Sequence, residues 1–294
     1  MKRFILKFIA FTIILIVFNI LYLEYLKEHN IEFSKAIFIS QMEGENFECI
    51  VLGNSVALDG IDTKYLSQKG GPSYNFALGG ASIEASYIQL SNYINSNQTS
   101  VVILGLSPGV NLKTFVPPPL HPTIEYSYNI GDNFNIRSIP MIKFQWLAIE
   151  VVKKIFSKDH REMEVVMGQL RTKKTVPDRT NYPDQTIKKI SSDDLIEAKY
   201  LVKLDSLCAA NDIVFFAVSL PGYKKTQNDI PQGLHTLNYG DGNILNFINL
   251  NNRSFCTEIF DDETDWLGNS HLNQYGAEKL TEQLYREYAK YFGQ

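Results

Sequence analysis

The sequence predicts an α/β domain with a central parallel sheet covered on both sides by helices, preceded by one membrane-spanning helix. Two observations lead there. Short apolar runs end repeatedly in small-residue turns, as in FECIVLGNS (47–55), SYNFALGG (73–80) and SVVILGLSP (100–108). Amphipathic stretches separate them, and continuous apolar runs suit strands buried on both faces. The 294 residues are 45% hydrophobic and 20% charged with a formal net charge of −4, which excludes disorder and gives no electrostatic footprint for nucleic acid. Three cysteines, at 49, 208 and 256, fit no paired metal-ligand spacing and no disulfide framework.

The first element is apolar. Phe4 to Leu23 reads FILKFIAFTIILIVFNILYL, with Lys7 as its single charge. At 1.5 Å per residue it spans about 30 Å, the thickness of a bilayer core. Lys2, Arg3 and Lys7 lie at its start and Glu24, Lys27, Glu28 and Glu32 follow, so the positive-inside bias leaves the N-terminus in the cytoplasm. No A-x-A-like cleavage site follows, which favours an uncleaved signal anchor (1–25) over a signal peptide. Residues 26–46 read as a helical stalk and 47–294 as the α/β domain.

Along that domain, 47–55, 73–80 and 100–108 give three strands, with a helix over about 82–96 between the last two. DIVFFAVSLPG (212–222) is a fourth strand, preceded by a helix from Asp193 to Ala210, and ILNFINL (244–250) is a fifth. Residues 274–292 place Ala277, Leu280, Leu284, Tyr288 and Tyr291 on one face of a final helix. Residues 109–190 break the rhythm with Pro117–Pro119, a helix near 140–157 and the charged run DHREME (159–164). They read as an insertion at the sheet's C-terminal edge: a lid, a substrate platform or a partner-docking surface.

In an open parallel sheet, ligands bind outside the carboxyl ends of the strands. Three strand ends carry small or polar residues here: Gly53-Asn54-Ser55, Gly79-Gly80 and Gly105-Leu106-Ser107. Ser55 is either an exposed nucleophile or the N-cap of the following helix. Gly80 can offer a bare backbone N–H to an oxyanion. Of the five histidines (29, 121, 160, 235, 271), His271 sits in the polar loop NSHLN just before the final helix and is the candidate base.

GNS (53–55), NFALGG (75–80), GLSP (105–108) and SHLN (270–273) resemble, in order and spacing, the blocks of the SGNH/GDSL hydrolase superfamily. LGNSVALDGIDTKYL and HLNQYGAEKLT look like the nucleophile and histidine segments of its membrane-tethered members, which accompany membrane-bound O-acyltransferases. The resemblance covers roughly 47–108 and 205–292. It implies a flavodoxin-like three-layer sandwich and a serine esterase or O-acyltransferase acting on O-acyl, chiefly O-acetyl, groups of cell-surface polysaccharide. It further implies a site outside the cytoplasmic membrane of a bacterium, a membrane-bound O-acyltransferase as partner, and no metal or organic cofactor. By the same resemblance Ser55 is the nucleophile, His271 the base, and the amides of Ser55 and Gly80 oxyanion donors. Two positions depart from the pattern. Ser107 stands where the family has an Asn side chain as third donor, and Gly268 where it has the acid, three residues before the histidine. The nearest acid before the histidine is Asp265, the candidate third member of a triad; a backbone carbonyl holding a Ser–His dyad is the other solution. Asn54 replaces the Asp of the common nucleophile motif. A noncatalytic accessory protein that binds glycan or the acyltransferase is the alternative reading.

Overall fold

The computed structural model describes residues 1–108, 120–130, 139–147, 163–175, 198–238, 244–268 and 271–289. They fall into two compact units, Met1–Phe38 with Pro122–Arg161, and Ile39–His121 with Glu162–Gln294.

In the first unit, helix α1 (Lys2–His29) is long and apolar enough to cross a membrane, and none of its 18-residue apolar window is buried. Its C-terminal turns do pack: Leu26, with Phe33 just beyond the helix, forms a small buried cluster with Phe144 and Leu147, and the Tyr22 hydroxyl donates to the Phe144 carbonyl at 2.7 Å. Of the helix expected over 140–157, α7 (Pro140–Lys143), which ends at a turn on Phe144, and a helical stretch over 145–147 are described; 148–157 lie outside the described residues. Of the residues 26–46 read as a helical stalk, α1 runs to His29 and α2 covers Ile31–Ser40, while 41–46 are not helical.

The second unit is built on a six-stranded sheet in the order β2-β1-β3-β6-β8-β7. The strands are β1 (Phe47–Gly53), β2 (Ser73–Asn75), β3 (Thr99–Leu106), β6 (Val214–Ser219), β7 (Gly233–Asn238) and β8 (Ile244–Asn249). All pairings are parallel except β7 against β8. The antiparallel edge was not expected from the sequence.

Alternation along the strands divides the core. Cys49, Val51, Val101, Ile103, Phe216 and Val218 face one side. There they meet α3 (Ser55–Gly60), α9 (Arg253–Ile259) and α10 (Gln274–Tyr288) through Ala57, Phe255 and Leu280. Ile50, Leu52, Val102, Leu104, Phe215 and Ala217 face the other. These meet α5 (Ile83–Tyr93) and α8 (Ala198–Ala210) through Leu90, Leu201 and Leu204. Period-two alternation in a doubly covered sheet gives three layers, helix, sheet and helix. All three cysteines are buried, and burial pushes the Cys208 and Cys256 thiols up to about 12 and raises that of Cys49.

Side-chain caps start the helices where the sequence supplies Asn, Asp or Ser: Asn54 for α3, Asp62 for α4 (Thr63–Gly70), Ser82 for α5, Asn252 for α9 and Asn273 for α10.

Residues 109–119, 131–138, 148–162 and 176–190 of the expected insertion lie outside the described residues. Its described C-terminal part is a hairpin, β4 (Glu164–Val166) with β5 (Gln169–Arg171). Met167 O accepts from Asn75 N at 2.9 Å and from Thr63 Oγ1 at 2.9 Å, and the Arg171 guanidinium grips both Asp62 oxygens at 3.1–3.2 Å. That hairpin is part of the body of the α/β unit.

Candidate active site

The chain leaves β1 toward β2 on one side and returns to β3 on the other, so the topological switch point, where open α/β sheets bind ligands, falls at the carboxyl ends of β1 and β3. Gly53 and Gly105 are register partners there. A Cβ on Gly53 would stand 2.5 Å from Gly105 O, and one on Gly105 would stand 2.6 Å from Ala57 Cβ. The two glycines therefore let α3 lie directly on the strand ends. Gly53 also turns with φ +136°, which side-chain-bearing residues rarely adopt.

Asn54 caps α3, its Oδ1 accepting from Val56 N at 3.1 Å, so the capping role that Ser55 might have filled is already taken. Ser55, the first residue of α3, is partly exposed, and its hydroxyl makes no hydrogen bond among the described residues. The Asn54 Nδ2 donates to Ser107 Oγ at 2.7 Å, joining the ends of β1 and β3. A hydroxyl that accepts on its lone pair keeps its own proton for a second partner.

The segment after β2 is bound back onto β1: Phe76 N donates to Val51 O at 2.7 Å and Leu78 N to Gly53 O at 3.2 Å. That second bond carries Gly79-Gly80 to the Gly53–Ser55 turn. Gly80 is exposed with φ +68° and open space on its Cβ side.

His271 is placed by a tight loop. Leu267 N and Gly268 N both donate to His271 O, at 2.9 and 3.2 Å, while Asn273 N donates to Asp265 O at 3.0 Å. The imidazole Nδ1 lies 2.6 Å from Oδ2 of Asp59. An ionised Asp59 carboxylate can only accept, so it pairs with an Nδ1–H, and a neutral imidazole in that tautomer keeps a lone pair on Nε2. Asp59 is almost fully buried, and its backbone O accepts from Gln169 Nε2 at 3.1 Å. Asp59 stands four residues after Ser55 on α3, and such residues have Cβ atoms about 5–6 Å apart.

Asp265, the acid expected to partner His271, is engaged elsewhere. Its Oδ2 accepts from Asp261 N at 2.8 Å and from Lys279 Nζ at 2.6 Å, and its Oδ1 lies 3.2 Å from Thr264 Oγ1. It holds the loop together beneath the histidine, and the carboxylate on the ring comes from α3 instead. Asp261 is also occupied: the Glu263 and Thr264 amides donate to it and hold its carboxyl below the usual range. Gly268 faces open space. Of the other histidines, His235 lies on the edge strand β7, with Nε2 2.8 Å from Pro231 O, and His29 stacks on Tyr25 in α1. The sequence reading passed over Asp59, although its i, i+4 spacing from Ser55 was visible.

No family model matches the chain, and no curated protein matches it either. Among solved structures, one described as a candidate platelet activating factor from Streptococcus pneumonia is similar over 92% of this chain and 97% of its own, with 10% identity and a TM-score of 0.30. A gut microbial diltiazem-metabolizing enzyme is similar over 60% of this chain and 37% of its own, with 16% identity and a TM-score of 0.22. At such TM-scores neither bears on the chemistry here.

Proposed function

We propose that this chain is an SGNH-like serine esterase or O-acyltransferase of flavodoxin-like topology, with Ser55 as nucleophile and His271 as base. One observation carries the reading: the His271 imidazole is held through Nδ1 by a carboxylate one helical turn from Ser55, at the carboxyl ends of β1 and β3. The parallel strands run in the order 2-1-3-4-5 when counted along the chain, which is the flavodoxin-like arrangement.

In the first half-reaction, the Ser55 hydroxyl passes its proton to His271 Nε2 as Oγ bonds to the acyl carbonyl carbon. The amides of Ser55 and Gly80, with the Ser107 hydroxyl turned by Asn54, stabilise the oxyanion. Collapse breaks the bond to the leaving alcohol oxygen, which takes the proton from Nε2. Water or a sugar hydroxyl then gives its proton to Nε2 and attacks the acyl-serine, and Ser55 departs reprotonated. No metal or organic cofactor is required by these steps.

The exposed apolar helix α1 and the cations at its start support a membrane anchor with the N-terminus in the cytoplasm and the α/β unit outside. Such an anchor suits transfer of O-acetyl groups to cell-surface polysaccharide beside a membrane-bound O-acyltransferase. The test is a fluorophosphonate probe applied to the full-length chain in detergent micelles. We expect wild type to label on Ser55, and Ser55→Ala and His271→Ala to lose labelling. A folded wild type that does not label removes the catalytic reading and leaves the accessory one.

A further inference from the structure

We infer that Asp59 is the acid that positions His271, a role taken over by the nucleophile's own helix from position 268. The inference rests on the serine reading above and adds the third member of its site.

Four observations support it. The contact is short and directional, Nδ1 to Oδ2 at 2.6 Å, and the Asp59 side chain is only 9% exposed. A carboxylate withdrawn from water persists when a charge-assisted partner compensates it, and an imidazole that gains a proton during turnover is such a partner. Both partners are fixed from behind. Gln169 Nε2 holds the Asp59 carbonyl, Asp62 N donates to Thr281 Oγ1 of α10 at 2.8 Å, and the loop amides hold His271 O. The position that the family resemblance assigns to the acid, Gly268, has no side chain to compete for Nδ1. Asp265 is committed to Asp261 N and Lys279.

Nucleophile and acid then share one rigid turn of helix. Their separation is set by helix geometry, and only the base arrives from a distant part of the chain. Asp59 touches no reacting atom; it fixes the tautomer and ring orientation of the base and stabilises the imidazolium. Loss of such a carboxylate's charge in a serine–histidine–aspartate site lowers turnover about 10⁴-fold.

The experiment compares fluorophosphonate labelling rates of full-length wild type and Asp59→Asn in detergent micelles, with thermal melting and imidazole ¹⁵N spectra of both. Asparagine keeps the shape but not the charge. We expect Asp59→Asn to label about 10³–10⁴-fold more slowly while still melting as a folded protein, and wild-type His271 to show the Nδ1–H tautomer. Wild-type labelling rates in Asp59→Asn overturn the assignment and leave a structural ion pair. The Nε2–H tautomer in wild type overturns it too, even if Asp59→Asn does not fold. A folded wild type that fails to label overturns the serine reading together with this one, whereas normal Asp59→Asn labelling overturns this one alone.

Discussion

Two buried carboxylates flank the histidine loop, and they are put to different uses. Asp265 lies in the loop, six residues before His271 in sequence, yet its carboxylate is taken up by the loop and helix α10: Asp261 N, Thr264 Oγ1 and Lys279 Nζ. Asp59 lies 212 residues away and takes the ring nitrogen. Closeness in sequence made Asp265 the natural candidate. Two amides to the His271 carbonyl and one to the Asp265 carbonyl fold the loop into a narrow strap, and that strap presents the histidine to α3. The difference teaches that an acid near a base in the chain can be spent on shaping the loop, leaving the ring to a carboxylate from another layer.

The comparison can be broken by moving the acid. If position 268 is where a loop acid would serve, Gly268→Asp placed in Asp59→Asn has room, because a Cβ there meets nothing within 4 Å. We expect it to recover much of the roughly 10⁴-fold loss, read as the fluorophosphonate labelling rate. No recovery would mean that α3 alone can reach the ring.

A smaller effect sharpens the other half. Asp265→Asn should leave labelling unchanged but lower unfolding stability by about 1–3 kcal/mol, because buried donors lose a charged acceptor. Urea unfolding checks this, and a collapse in labelling at full stability would return Asp265 to the site. The smallest effect belongs to Lys279→Met. The ammonium is nearly half exposed and solvent-screened, so its loss should cost no more than about 1 kcal/mol in the same measurement.

Much of the fold was legible. β1, β3 and β6 are continuous apolar runs, and their alternation between two cores follows from the pleat. The final helix announced itself through Ala277, Leu280 and Leu284, all buried. Ser55 and His271 stood out because a strand-end turn and a helix-start loop are local features. What was not legible is tertiary. The β4–β5 hairpin contains three-residue strands too short to show a period, and β7 pairs antiparallel through a contact that no local pattern encodes. Asp59 looked like an ordinary polar residue in VALDG until α10 and its preceding loop were packed against α3. An i, i+4 Ser–Asp pair has meaning only once something lies across it.

The burial of the cysteines has a chemical consequence for any covalent adduct. With Cys208 and Cys256 pushed up to about 12 and Cys49 raised as well, the folded chain offers almost no thiolate at neutral pH. An acyl group recovered on the native protein is therefore not a thioester, and one carried by Ser55 is an oxygen ester. It should survive mild neutral hydroxylamine, which strips thioesters, and mass spectrometry of the intact chain can count it without a sulfur background.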